Sequence, residues 1–408
     1  MQSTSQVTAP STKQVVTTLN HINIGMNVLS TVRFDVRVLR EATALRDAGY
    51  AVSIVDIEGA NNQPVKERIH GLDVRHVLVS NSFLTTRFAH WSLVRAIKIL
   101  VRSTFHLMSI PADIYHAHDV SGLFPCYIAA LLRRKPLILD AHELPLNAMS
   151  IQSSWLLKLL PFLITGIMPR CAKVITVSSP IAQEIRKRYH RQEISVIRNV
   201  PAYQPGLKSN RLRQYLGLNP RTRIALFQGY LKNDRGLENL IKSAQFLEKD
   251  IVIVIMGKAF GVILTQLEAL IEYEGVADRV KIIPPVPYEE LLEWTASADI
   301  GLILYRPDVS KNIQLCLPNK FFEYLMAGLP VLTSQLDAVA DIVKTYGVGQ
   351  VVSSITPEEI GKAINDMAAN CTAYEQMRLN ALEVAQNELC WEKEKQRLLE
   401  LYHEILEK

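Results

Sequence analysis

LPNKFFEYLMAGLPV, residues 317–331, reads as a short helix bounded at both ends. Pro318 suits the first turn, where no amide donor is missed, and Gly328 suits a left-handed cap before Pro330 prevents continuation. Phe321, Phe322, Leu325 and Met326 give the helix an apolar side to anchor in a core. Asn319, Lys320 and Glu323 then stand near an N-terminus whose free amides and positive dipole favour anions. The pattern suits a diphosphate site with a carboxylate beside it that can accept hydrogen bonds from a ribose diol.

The surrounding sequence limits what such a site can serve. The chain has 408 residues, 48% hydrophobic and 21% charged, which fits two globular domains of about 200 residues each. Five cysteines, odd in number and without C-x-x-C spacing, suggest neither zinc nor a redox pair and imply a reducing, cytoplasmic compartment. Residues 1–13 are polar and read as a disordered lead-in rather than a signal peptide. The most apolar run, Trp155 to Met168, is interrupted by Lys158 and Pro161 and is too short to span a bilayer. Net charge is +5 but uneven: residues 1–200 hold 23 Lys and Arg against 13 Asp and Glu, and the remainder holds 22 against 27. The basic half points to an anionic partner, while the acidic half and the lack of any zinc-finger, RNA-recognition or helix-turn-helix signature argue against nucleic acid.

Short apolar runs alternate with helical patterns throughout, as in parallel sheets covered by helices. Strands are expected at 14–19, 51–56, 114–116, 136–140, 174–177 and 194–197, with a helix at 38–48. A second series follows at 224–228, 251–256, 280–283, 300–304 and 331–333. The segment 199–206, NVPAYQPG, reads as the linker. The expected domains are therefore 14–200 and 201–390, two Rossmann-like units facing across a cleft. The amphipathic final helix, 391–408, is expected to pack back on the first. Ligands of such sheets sit beyond the carboxyl ends of the strands, so the loops 20–30 (with Gly25), 140–143, 229–236 and 305–318 are where chemistry is expected. None contains G-x-G-x-x-G or a P-loop, which speaks against NAD or ATP enzymes.

Taken in order, VRVLREATALRDAGYAVSIV (36–55), DIYHAHD (113–119), LDAHEL (139–144), KVITVSSPIAQEI (173–185), IRNVP (197–201), FQGYLKNDRGLENLI (227–241), ADIGLILY (298–305) and LPNKFFEYLMAGLPV resemble glycosyltransferase family 4. The resemblance runs from about residue 14 to the end and implies the GT-B fold, a nucleotide-sugar donor and a product that keeps the donor's anomeric configuration. On this resemblance Glu323 looks like the family's ribose-binding glutamate and Arg235 like its diphosphate-neutralising cation, usually lysine. His142 resembles the histidine that approaches the donor sugar, and Gly25 the glycine of the first loop. Gly229, Tyr230 and Asn319 fall among the donor-binding positions, and Lys320 joins Arg235 and His142 as a catalytic candidate. Two positions depart from the pattern. Tyr230 stands where an arginine is usual, and Leu315 replaces an acidic residue eight positions before Glu323, with Asn312, Gln314 or Asn319 as substitutes.

The expected chemistry follows. Charge on the departing diphosphate can be met by Arg235, Lys320 and the helix N-terminus. No D-x-D pair is present to hold Mg²⁺, so a metal-independent reaction without a cofactor is expected. The expected acceptor is lipid-linked or a saccharide, in polysaccharide or glycolipid assembly. An epimerase of the same fold and a nucleotide-sugar-binding protein without turnover are the alternatives. Asp140 and Glu143 form a further, weaker candidate as a hydrolase pair, and His116 and His118 read as ordinary hydrogen-bonded loop residues. Arg87, Arg95, Lys98 and Arg102 share one side of a helix whose other side carries Trp91, Val94, Ile97 and Val101, a pattern that suits peripheral contact with an anionic membrane, aided by residues 151–170.

Overall fold

In the computed structural model, residues 22–59, 64–79, 89–145 and 155–407 are described, with backbone alone for 89–95 and 155–159. The chain divides into two compact units. The first comprises residues 1–177, 181–197 and 395–408; the second comprises 178–180 and 198–394.

The first unit is built on eight strands: β1 (Asn23–Asn27), β2 (Ala51–Gly59), β3 (Lys66–Ile69), β4 (Leu72–Val79), β5 (Ile114–His118), β6 (Leu137–Ala141), β7 (Lys173–Thr176) and β8 (Ser195–Val196). Their order is β3-β4-β2-β1-β5-β6-β7-β8. All pairs are parallel except β3 with β4, a hairpin whose two-residue turn puts both His70 (φ 49°) and Gly71 (φ 78°) in the left-handed region.

β1 corrects an expectation. The run 14–19 lies outside the described residues, and Gly25, expected in the loop after the first strand, lies inside β1 opposite Ser53 of β2 and Tyr115 of β5. A Cβ there would stand 3.2 Å from the Ala112 Cβ and 3.4 Å from both Ile110 Cδ1 and Tyr115 Cδ1, so the glycine serves close packing. His116 and His118, expected in a loop, belong to the fully buried strand β5.

The second unit holds β9 (Arg223–Gln228), β10 (Ile251–Met256), β11 (Val280–Ile283), β12 (Ile300–Ile303), β13 (Val331–Thr333) and β14 (Gly349–Val351), all parallel, in the order β11-β10-β9-β12-β13-β14. β10 reads IVIVIM with every residue buried, the signature of a strand covered on both faces. The opening motif forms the helix Asn319–Met326. Pro318 is extended and precedes it by one residue rather than entering its first turn, because its carbonyl already accepts from Phe321 N. Gly328 adopts φ 71° as a left-handed ending requires. The last helix, Trp391–Leu406, begins in the second unit and ends in the first, where the Tyr402 hydroxyl bonds His116 Nδ1 at 2.8 Å.

Candidate functional site

Within the second unit, the ends of β9, β10, β11 and β12 and the start of helix Asn319–Met326 enclose a cavity of about 560 Å³. Six of the residues singled out from sequence line it: Gly229, Tyr230, Arg235, Asn319, Lys320 and Glu323.

Glu323 is fixed from below. Gln228, the last residue of β9, donates from Nε2 to Glu323 Oε2 at 2.5 Å, and its own Oε1 accepts from Thr295 Oγ1 at 2.8 Å. The neighbouring Tyr324 is locked into the sheet, its hydroxyl accepting from Gln228 N and donating to Leu226 O. Held there, the Glu323 carboxylate lines the cavity, where it can accept from a diol.

Arg235 and Lys320 supply the positive charge. The Arg235 guanidinium lies 4.2 Å from the centroid of Tyr305 and 3.4 Å from Asp234. Lys320 is 7% exposed, its ammonium 3.5 Å above the Phe227 ring and without a hydrogen-bond partner. Burial, followed by repulsion from Arg235, pulls the Lys320 pKa well below the ordinary lysine value, against the smaller pull of Glu323. A buried, unpartnered amine beside a guanidinium is a place that an anion would complete. Gly229 makes room for it: at φ 114°, a Cβ there would press to 3.3 Å from Lys320 Nζ.

Leu315 is buried, with its carbonyl accepting from Ser178 Oγ, and does not line the cavity. Among the proposed polar substitutes only Asn319 lines it, while Gln314 bonds Asp337 at 3.3 Å.

The first unit holds the other candidate. His142 follows β6, with its side chain 17% exposed. Its Nε2 lies 3.0 Å from Asp140 Oδ2, its Nδ1 lies 3.4 Å from Asp119 Oδ2, and its amide donates to Asp119 Oδ1 at 2.9 Å. Burial alone would lower its pKa, but Asp119 and then Asp140 push it up to about 9, so the ring is an imidazolium at neutral pH. Asp140 is committed to Arg37 and lies inside β6, which removes it from the hydrolase pair with Glu143. Asp119 was not singled out from sequence. Its signal is structural, a non-glycine residue at φ 58° opening a helix.

Comparison with known proteins agrees with this picture. Residues 35–200 match the model of Glycosyltransferase Family 4, and residues 208–384 match that of Glycosyl transferases group 1. D-inositol 3-phosphate glycosyltransferase 1 of Catenulispora acidiphila is 24% identical over 404 residues, covering 91% of each chain. A protein of that function from Paenarthrobacter aurescens is 27% identical over 204 residues, a match spanning 49% of this chain and 47% of its own length. Among solved structures, sucrose-phosphate synthase of Thermosynechococcus elongatus superposes with a TM-score of 0.75 at 16% identity, over 95% of this chain and 100% of its own. Anabaena HepE in complex with UDP and glucose superposes with a TM-score of 0.69 at 16% identity, over 94% and 100%. Two family models in tandem, on a fold shared with GT-B enzymes, place the chain in glycosyltransferase family 4.

Proposed function

We propose that the protein is a retaining, metal-independent glycosyltransferase that moves a sugar from a nucleoside-diphosphate donor to a lipid-linked or saccharide acceptor, on the cytoplasmic side of polysaccharide or glycolipid assembly. The observation that carries the donor site is the pairing, in one cavity, of the unpartnered Lys320 ammonium with Arg235 and the anchored Glu323 carboxylate. Lys320, Arg235 and the helix N-terminus would hold the diphosphate, and Glu323 the ribose. As the glycosidic bond breaks, negative charge grows on the diphosphate oxygens, and the two cations stabilise that state more than the ground state. The His142 imidazolium would meet the donor sugar.

UDP and UDP-glucose, found on HepE, are the first donors to test. Glu323→Ala should weaken UDP by about 1.5–3 kcal/mol, the usual worth of a hydrogen bond to a charged group. Titration calorimetry in EDTA measures this and tests metal independence together. Unchanged affinity with the fold intact would remove Glu323 from the site, and binding that requires added Mg²⁺ would overturn the metal-free reading.

Peripheral membrane contact is part of the proposal. Among the described residues, no helix is long and apolar enough to cross a bilayer. The helix Ala89–Met108 nevertheless leaves Ile97, Val101 and Phe105 exposed at i, i+4, i+8, beside exposed Lys98 and Arg102. Helix Trp155–Ile167 exposes Phe162 and Leu163. Arg87 lies outside the described residues, as do the side chains of Trp91, Val94 and Arg95. Reversing Lys98 and Arg102 to glutamate should cost about 2 kcal/mol or more of affinity for anionic vesicles, at about 1 kcal/mol per basic residue. Co-sedimentation equal on neutral and anionic vesicles would remove the membrane from the reading.

A further inference from the structure

On the rim of the donor cavity, two large aromatic side chains stand half exposed against each other. Tyr230 (55% exposed) and Phe260 (54% exposed) have ring centroids 5.4 Å apart, and Val262, two residues after Phe260, is exposed as well. The arrangement is built rather than incidental. Leu231 N donates to Lys258 O, and Leu231 forms a parallel bridge with Ala259, so the loops after β9 and β10 are pinned together and hold the rings side by side. Each ring carries its own cation: Lys232 Nζ lies 5.8 Å from the Tyr230 centroid and Lys258 Nζ 5.2 Å from that of Phe260. Neither lysine is paired with a carboxylate among the described residues. An aromatic pair left in water at the rim of a cavity is a recognition surface more readily than a packing device.

From these rings and amines we infer an acceptor subsite: Tyr230 and Phe260 stack the ring of a saccharide whose anionic substituent, a phosphate or a carboxylate, is met by Lys232 and Lys258. The orientation rests on the donor reading. Tyr230 directly follows Gly229, where an added Cβ would lie 3.3 Å from the Lys320 amine, so it stands at the phosphate end of the cavity. The apolar wall of Pro285, Val286 and Leu291 follows β11, the edge strand two places from β9, and suits the base. A platform at the phosphate end meets what takes the sugar, not the base. The C–H faces of a pyranose pack against aromatic rings, and amines already seated over those rings discriminate by charge.

The test uses the full chain with glucose, glucose 6-phosphate and glucuronic acid as ring probes and UDP as the donor probe, each titrated separately by ligand-observed NMR or calorimetry. Glucose 6-phosphate, glucuronic acid or both should bind at least about fivefold tighter than glucose, the two anionic probes separating phosphate from carboxylate recognition. Tyr230→Ala and Phe260→Ala should each weaken the preferred probe about tenfold, as loss of a stacking face does, with Tyr230→Phe near wild type; because Phe260 does not line the donor cavity, Phe260→Ala should leave UDP affinity unchanged. Lys232→Gln with Lys258→Gln should erase the preference for the anionic probe. The inference is overturned if UDP affinity falls in step with probe affinity in Phe260→Ala, if glucose binds as well as the charged rings, or if the alanine variants leave ring binding unchanged. Failure of UDP to bind while the ring results hold would instead sink the donor reading and leave the rim as a saccharide site.

Discussion

Arg235→Ala is expected to lower kcat roughly 10²- to 10³-fold while leaving donor affinity within a few-fold of wild type, the scale seen when one preorganised donor to a developing anion is removed. The geometry sets the argument. The guanidinium is stacked 4.2 Å over Tyr305 and held from the side by Asp234, so it is oriented before any ligand arrives and loses little freedom when the diphosphate leaves. Lys320 starts differently. Burial and Arg235 disfavour its charged form, and an arriving diphosphate would favour it. Lys320 therefore contributes mainly as the donor binds, and Arg235 mainly as charge grows in the transition state. Arg235→Lys should keep much more activity than the alanine variant, since charge survives although the stack on Tyr305 does not. Steady-state kinetics with separately measured donor affinity decides the matter. A change confined to affinity would make Arg235 a binding group, and equal damage from lysine and alanine would show that the planar fork is what acts.

How much of this was legible from the chain differs by element. Strands β10 and β13 occur where the apolar runs place them, because an all-buried parallel strand has no alternation to confuse and is cut by polar turns. β1 was not legible: Asn23, Gly25 and Asn27 are poor strand formers, and they are tolerated because Ile24 and Met26 are wholly buried and the backbone must pass close to Ala112. The β3–β4 hairpin was missed for a related reason, its strands reading KERI and LDVRHVLV with charge on the open side. In the site, Glu323, Lys320 and Asn319 share one helix, so their proximity follows from local periodicity. The Phe227 ring beneath Lys320 and the Gln228 amide beneath Glu323 come from 93 and 95 residues earlier, and no pattern along the chain announces them. His142 is a mixed case: Asp140 lies two residues before it in β6, whereas Asp119 comes from 23 residues earlier, just after β5, and no pattern along the chain announces it.

Breaking the ion pair beneath His142 should have the largest effect on stability. Arg37 donates from Nε and Nη2 to both oxygens of Asp140 at 2.7 and 2.8 Å, and from Nη1 to Ile197 O at 2.9 Å, with Glu41 3.1 Å away; both members of the pair are buried. Burial alone would raise the Asp140 pKa, but Arg37, and then His142, hold it well below the carboxylate range. Arg37→Met removes the bidentate partner and leaves the buried Asp140 carboxylate with His142 as its remaining cation, which costs about 3–5 kcal/mol in urea or thermal unfolding. The double variant Arg37→Met with Asp140→Leu should be more stable than the two single losses summed, since neither charge is then left alone. A pH signature separates this from simple packing. With its folded pKa at about 9 against an ordinary 6.5, His142 contributes stability that is complete below about pH 6.5 and lost as pH rises through about 9. Asp140→Asn removes one of the two anions that sustain this, so its unfolding free energy should fall less between pH 6.5 and 9 than that of the wild type. Parallel pH profiles for the two proteins would show that Asp119 alone holds the imidazolium, and a loss below about 1 kcal/mol in Arg37→Met would show that the buried pair does not hold this unit together.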